Sequence, residues 1–200
     1  MPFYYRTFVT AEMDQKPNST KDAALRAVGR TVVNFQRLEH NLKLAAQIGP
    51  LNGTAQKIVR DVAKRQERAA TLTLGQAIQR WLENCCDSPE QFEGTADLFD
   101  VTFQTRFSIE TDDETRSRHA KALSDLLEAR NKLIHSRLAQ FNWESPQACE
   151  QLVLELDRVN VAIAEQIRYV ISFLENYAEL SNVFVAVLES TEFAEGLRDI

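Results

Sequence analysis

The chain is expected to fold as a mainly α-helical bundle, and three observations predict it. Apolar residues recur at intervals of three and four over long stretches; Gly and Pro number only six and five in 200 residues; and helix-start and helix-stop residues stand at the ends of the periodic stretches. Hydrophobic residues make up 44% and charged residues 26%, the balance of a folded domain and not of a disordered or fibrous one. Residues 1–19 contain Pro17 and Asn18 without helical periodicity and read as an N-terminal arm, leaving 20–200 as a single helical-bundle domain.

The first helix is expected from about Thr20 to Ile48, with Leu25, Val28, Val32, Phe35, Leu38 and Leu42 on its buried stripe and Gly49-Pro50 ending it. A second helical region runs from about Thr54 to Cys86, with Ile58, Val59, Val62, Leu74, Ile78 and Leu82 as core positions and a break near Thr71 to Gly75. Between 101 and 109 the pattern changes to alternation: Val101, Phe103, Thr105, Phe107 and Ile109 interleave with polar residues, which predicts one short strand. Phe99, Phe103 and Phe107 equally fit one helical face. A lone strand needs a partner, and a symmetry mate is one source of it.

Thr111 and Glu114 have capping-box spacing, so a third helix is expected from about Asp112 to Leu138, with Ala122, Leu123, Leu126, Leu127, Leu133 and Ile134 on one face. Ser145-Pro146 is a capping hydroxyl followed by a proline whose missing N–H is not needed at the first helical position. The fourth helix begins there, keeps a stripe from Leu152 to Tyr177, and is expected to give way near Ser181-Asn182 to a short C-terminal helix. Short connections between four long helices predict an antiparallel four-helix bundle.

Charge and cysteines narrow the function. The net charge of −6 disfavours coating of nucleic acid by bulk attraction, but the charge is uneven. Between Lys57 and Arg80 six basic residues face two acidic ones, a local balance of +4; from Glu144 onward eleven acidic residues face three arginines, a balance of −8. The basic stretch reads as a solvated helix face or as a surface for phosphates or an acidic partner. Cys85, Cys86 and Cys149 have neither zinc-ligand spacing nor an even disulfide framework, so they read as buried thiols. No secretion signal and no apolar run long enough to span a membrane is found, which places the expected protein in the cytoplasm, away from membranes. Metal-ligand pairs, glycine-rich phosphate loops and nucleophile elbows are missing too, so no metal and no cofactor is expected.

One segment suggests chemistry: Arg130-Asn131-Lys132-Leu133-Ile134-His135, on the last turns of the third helix. Among sixteen arginines and three histidines such a spacing arises about 0.7 times by chance, so its helical context gives it weight. With its flank Leu126-Leu127-Glu128-Ala129 the segment resembles the HEPN superfamily of small helical bundles, whose signature is Arg, a polar residue, then His four to six positions on. Phe35-Gln36-Arg37-Leu38-Glu39, Thr73-Leu74-Gly75-Gln76, Phe141-Asn142-Trp143 and Ser145-Pro146 are similar to segments of bacterial members.

The resemblance implies a HEPN-like bundle and a metal-independent endoribonuclease of toxin or defence type, formed across a homodimer, with RNA and an antitoxin or other protein as partners. Carried over, His135 is the general acid or base at the RNA 2′-OH or the leaving 5′-oxygen, Arg130 holds the scissile phosphate, and Asn131, four residues before His135, orients the ring. Glu39 is an auxiliary candidate without a matched motif. On an ideal helix Arg130 and His135 point roughly 140° apart, so one chain presents them as flanks and two copies about a two-fold axis pool them. The structural reading of the same residues is a surface Asn131–His135 hydrogen bond with Arg130 paired to Glu128. The alternative function is a non-catalytic helical dimer or adaptor that binds a protein partner through the acidic C-terminal helix.

Overall fold

The computed structural model describes residues 19–86, 103–109 and 112–191, and it is mostly helical. In chain order the elements are α1 (Ser19–Ala45), β1 (Leu51–Gly53), α2 (Ala55–Ala70), α3 (Leu74–Trp81), β2 (Phe103–Thr105), α4 (Asp113–Lys132) and α5 (Pro146–Leu188). Wide π-helical turns follow α3 (Leu82–Cys86) and α4 (Leu133–Arg137). The expected arm falls almost wholly outside the described residues, as do Thr111, Phe99 and Val101.

α1 and α5 form the spine, and they run parallel. Lys21 pairs with Glu144, Arg30 with Asp157 and Asn34 with Asn160, so both numbers rise together along the contact. α4 runs the other way, because His119 meets Gln166 whereas Arg137 meets Glu155. α3 is antiparallel to α4, since Gly75 lies against Leu127 and Trp81 against Tyr169, the ring on which His119 stacks. The expected alternation of four long helices is corrected here, and the extra reversal comes from the break between α2 and α3. Thr71 ends α2, and Thr73 starts α3 with a capping box in which its amide donates to Gln76 Oε1 at 2.9 Å and its hydroxyl accepts from the Gln76 amide. Two orphan N–H groups are thereby satisfied, so one helical region becomes two.

The main core gathers Phe35, Leu38, Leu42, Leu74, Trp81, Leu123, Leu126, Ile163, Val170 and Phe173 from α1, α3, α4 and α5. A second cluster at the other end joins Ala24, Ala27, Leu133, Cys149, Leu152 and Leu156, roofed by Phe141 and Trp143. Leu25 and Val59, expected inside, are exposed at 47% and 69%. The buried face of α1 is Ala24, Ala27, Thr31, Phe35, Leu38, Leu42 and Ala45: small residues at its start let α5 approach closely, and a reading by side-chain size passes them over.

The strand has its partner in this chain, without a symmetry mate. Phe103–Thr105 pairs antiparallel with Leu51–Gly53, in the register Leu51 to Thr105 and Gly53 to Phe103. Gly53 ends β1 at φ +131°, a conformation that a Cβ disfavours, and a Cβ there would also meet Lys57 Cδ at 2.6 Å. Asp112 is the cap of α4, its carboxylate accepting from the Thr115 amide at 2.7 Å. Ser145 caps α5 with Pro146 in the first turn, as the sequence predicts. α5 passes through Ser181 and Asn182 without interruption to Leu188, because neither residue costs a helix as much as Gly or Pro would and apolar residues flank both.

Candidate site at the end of the fourth helix

The last turn of α4 is built by packing on one side and left open on the other. Leu126 and Leu133 are buried, and Arg137 reaches Glu155 of α5, whose other carboxylate oxygen accepts from Gln151 at 3.0 Å. That ion pair clamps the end of α4 to α5 just after the helix widens. The Arg137 guanidinium holds the Glu155 carboxyl below the usual carboxylate range; Gln151 and Lys132 act in the same sense against burial. The π-helical turn at Leu133–Arg137 contains His135 and follows directly on Arg130-Asn131-Lys132. Such turns lengthen the local hydrogen-bond ring, shift the side-chain register by one position, and are frequent at functional sites.

Asn131, Lys132 and His135 share one open, nearly flat face of the helix end with Ser124, Leu127, Glu128 and Ser136. All seven residues belong to α4 and the turn after it, and Asn131, Lys132 and His135 are exposed. Arg130 is half-buried and is not part of that face; its Nη1 donates to Asn131 Oδ1 at 3.2 Å. The expected Asn131–His135 contact is therefore replaced by Asn131–Arg130. The widened turn begins between Asn131 and His135 and takes the latter out of the ordinary i to i+4 relation.

Within one chain the three candidates thus form an Arg130–Asn131 pair and a separate imidazole on the same helical end. Lys132, to which the sequence reading assigned no role, shares the open face with His135, and its charge also acts on Glu155. Its signal was present, since it lies within the six-residue segment, but the turn that sets its direction has no counterpart in residue type. Glu39 is engaged by Lys43 at 2.9 Å within α1.

The other histidines are differently placed. His119 is half-buried, stacked on Tyr169 with centroids 3.8 Å apart and its Nδ1 3.4 Å from Gln166 Oε1, so it belongs to the packing of α4 on α5. His40 is exposed on α1. Cys149 is a buried free thiol that donates to the Trp143 carbonyl at 3.7 Å; the side chains of Cys85 and Cys86 lie outside the described residues. Among the described residues no group of three His, Cys, Asp or Glu is placed to hold a metal ion, and no helix is long and apolar enough to cross a membrane.

The segments that carry the resemblance have structural work in this fold. Phe35 and Leu38 are core residues, Thr73 and Gln76 make the cap of α3, Gly75 admits Leu127, and Phe141 and Trp143 roof the second cluster. Comparison with protein-family models, with curated proteins and with solved structures gives no match.

Proposed function

We propose that this chain is a HEPN-like, metal-independent endoribonuclease of toxin or defence type, cytoplasmic, with its site completed at a homodimer interface. The observation that carries the reading is the coincidence of the Arg130–His135 segment with the π-helical turn at Leu133–Arg137, beside which Asn131, Lys132 and His135 share one open face. His135 exchanges a proton with the RNA 2′-OH or the leaving 5′-oxygen, and Arg130 of the facing copy, with Lys132, neutralises the charge that builds on the phosphate. The convergence of α1, α3, α4 and α5 on the main core is read as the HEPN-like four-helix unit, with α2 appended to it. A two-fold axis on the open face of α4 brings the second copy's flanks to the first, which a single chain cannot do. An antitoxin covering the same face would silence it.

The test is cleavage of a structured RNA by purified wild type, Arg130→Ala and His135→Ala in the presence of a chelator, beside growth arrest on expression. Wild type is expected to cleave and to arrest growth, and both variants to lose the two effects. Identical behaviour of all three proteins overturns the reading.

A second reading has its own observation. Leu180, Val183, Phe184 and Val187 recur at three- and four-residue spacing on the end of α5 and are 44–60% exposed, with Glu175 and Glu179 exposed nearby. A non-catalytic dimer or adaptor would use that stripe to bind a protein partner. Leu180→Ser with Phe184→Ser would then abolish association seen by solution mass while leaving the fold intact; an unchanged mass removes this reading.

A further inference from the structure

Six cations of the other helices are each held by a carboxylate: Lys21 by Glu144, Arg30 by Asp157, Lys43 by Glu39, Arg116 by Asp113, Lys121 by Asp125 and Arg137 by Glu155. α2 is different. Lys57, Arg60, Lys64 and Arg68 are all exposed, and their side chains form no ion pair or hydrogen bond among the described residues. At about 100° and 1.5 Å per residue the four fall within a sector of roughly 80° and span about 16 Å of one helix face. Asp61 and Glu67 stand at the two margins of that sector. Arg65 faces away from it and is tied to the Pro50 carbonyl, which anchors α2 to the turn before β1.

We infer that this face of α2 is a binding surface for the phosphodiester backbone of a nucleic acid. Its chemistry is repeated positive charge at one-turn intervals, long flexible donors, and little apolar area, since Val59, the one large hydrophobic residue of α2 that is exposed, points roughly 140° away from its centre. A protein partner would call for a desolvated apolar or aromatic centre, with charge confined to the rim, and this face has the opposite composition. A chain of net charge −6 attracts nucleic acid only where cations are gathered and unneutralised, which is what α2 provides. The surface is distinct from the Arg130–His135 segment: α2 meets α1 at Lys43, near the C-terminal end of α1, whereas Arg137 lies beside Glu155, near the start of the parallel α5. It therefore does not rest on the cleavage reading.

The test is binding of a fluorescent, unstructured 20-nucleotide RNA, and of the DNA of the same sequence, to the full chain between 50 and 200 mM salt. Four phosphate contacts predict a slope of log affinity against log salt of about −2.8, hence a loss of about 50-fold across that range. A variant with Lys57, Arg60, Lys64 and Arg68 all changed to Gln is expected to lose the slope and the binding. A control with Lys21, Arg30, Arg116 and Lys121 changed to Gln has the same net charge and is expected to keep both. The double variants Lys57→Gln/Arg60→Gln and Lys64→Gln/Arg68→Gln should each remove about half of the slope, which covers a failure of the fourfold variant to fold. Tighter binding of RNA than of DNA places a 2′-hydroxyl contact on the same surface, and equal binding makes it a backbone reader; either supports the inference. His135→Ala should bind as wild type does, so loss of cleavage and loss of binding separate. Absence of binding by wild type at 50 mM salt, or equal loss in the stripe variant and the control, overturns it.

Discussion

Thr31 shows how a polar side chain is held inside the helix pair. It is fully buried, donates to the Ala27 carbonyl at 2.8 Å, and accepts from Asn160 Nδ2 at 2.9 Å, while Asn160 Oδ1 accepts from Asn34. Thr31→Val keeps the shape but removes the acceptor for Asn160, and is expected to cost about 1–2 kcal/mol in urea unfolding. Glu155 gives a pH signature. Its carboxyl is held below the ordinary value of 4.5, first by the Arg137 hydrogen bond, so its stabilising contribution is complete above about 4.5 and is lost as the pH falls through the lowered folded value. Glu155→Gln should therefore be less stable than wild type at neutral pH and no less stable in acid, as thermal unfolding across the pH range will read. The difference should stay below about 1 kcal/mol, because both partners are about a third exposed and solvent screens the pair.

At the scale of the element, α5 changes character along its 43 residues. Its first three quarters bury Leu152, Leu156, Ile163, Ile167, Val170 and Phe173 against α1, α3 and α4; the end carries Leu180, Val183, Phe184, Val185 and Val187 exposed. At about 1.5 Å per residue α5 is roughly 64 Å long and α1 only about 40 Å, so with their N-terminal halves in register the last turns outrun the spine. Phe173→Ala is expected to cost about 3–4 kcal/mol and Phe184→Ala under about 1 kcal/mol, two values that locate the end of the core by urea unfolding. Comparable costs would mean that the end of α5 is covered in the folded chain.

For the whole molecule, the decisive property is whether two copies share one site. If the site is composite as proposed, Arg130→Ala and His135→Ala are each expected to be inactive alone, yet a mixture refolded together should regain partial RNA cleavage, because a heterodimer would join an intact Arg130 from one copy to an intact His135 from the other. A site contained in one chain would show no recovery on mixing. Oligomer mass measured on the same mixture distinguishes failure to dimerise from failure to complement.

Helices were legible in the sequence because the 3.6-residue period repeats for many turns, and two of their ends because capping chemistry is local: Ser145-Pro146 and the break at Thr71 to Thr73 are written in residue type, whereas α1 stops at Ala45, ahead of Gly49-Pro50. The strand at Phe103–Thr105 was legible by alternation, whereas its partner at Leu51–Gly53 was not, since three residues are too few to show a period. Leu25 and Val59 were misread because burial depends on which face a neighbour covers, and only packing decides that. The same division holds at the candidate site. The sequence by itself determined that Arg130, Asn131 and His135 lie on one helical end. Tertiary structure decided that the helix widens at Leu133 and that Asn131, Lys132 and His135 are left together on its open face, whereas the Arg130–Asn131 bond joins adjacent residues and is local. The physical reason is that the clamp of Arg137 on Glu155 and the burial of Leu133 come from α5, far away in the chain, and no local residue pattern encodes them.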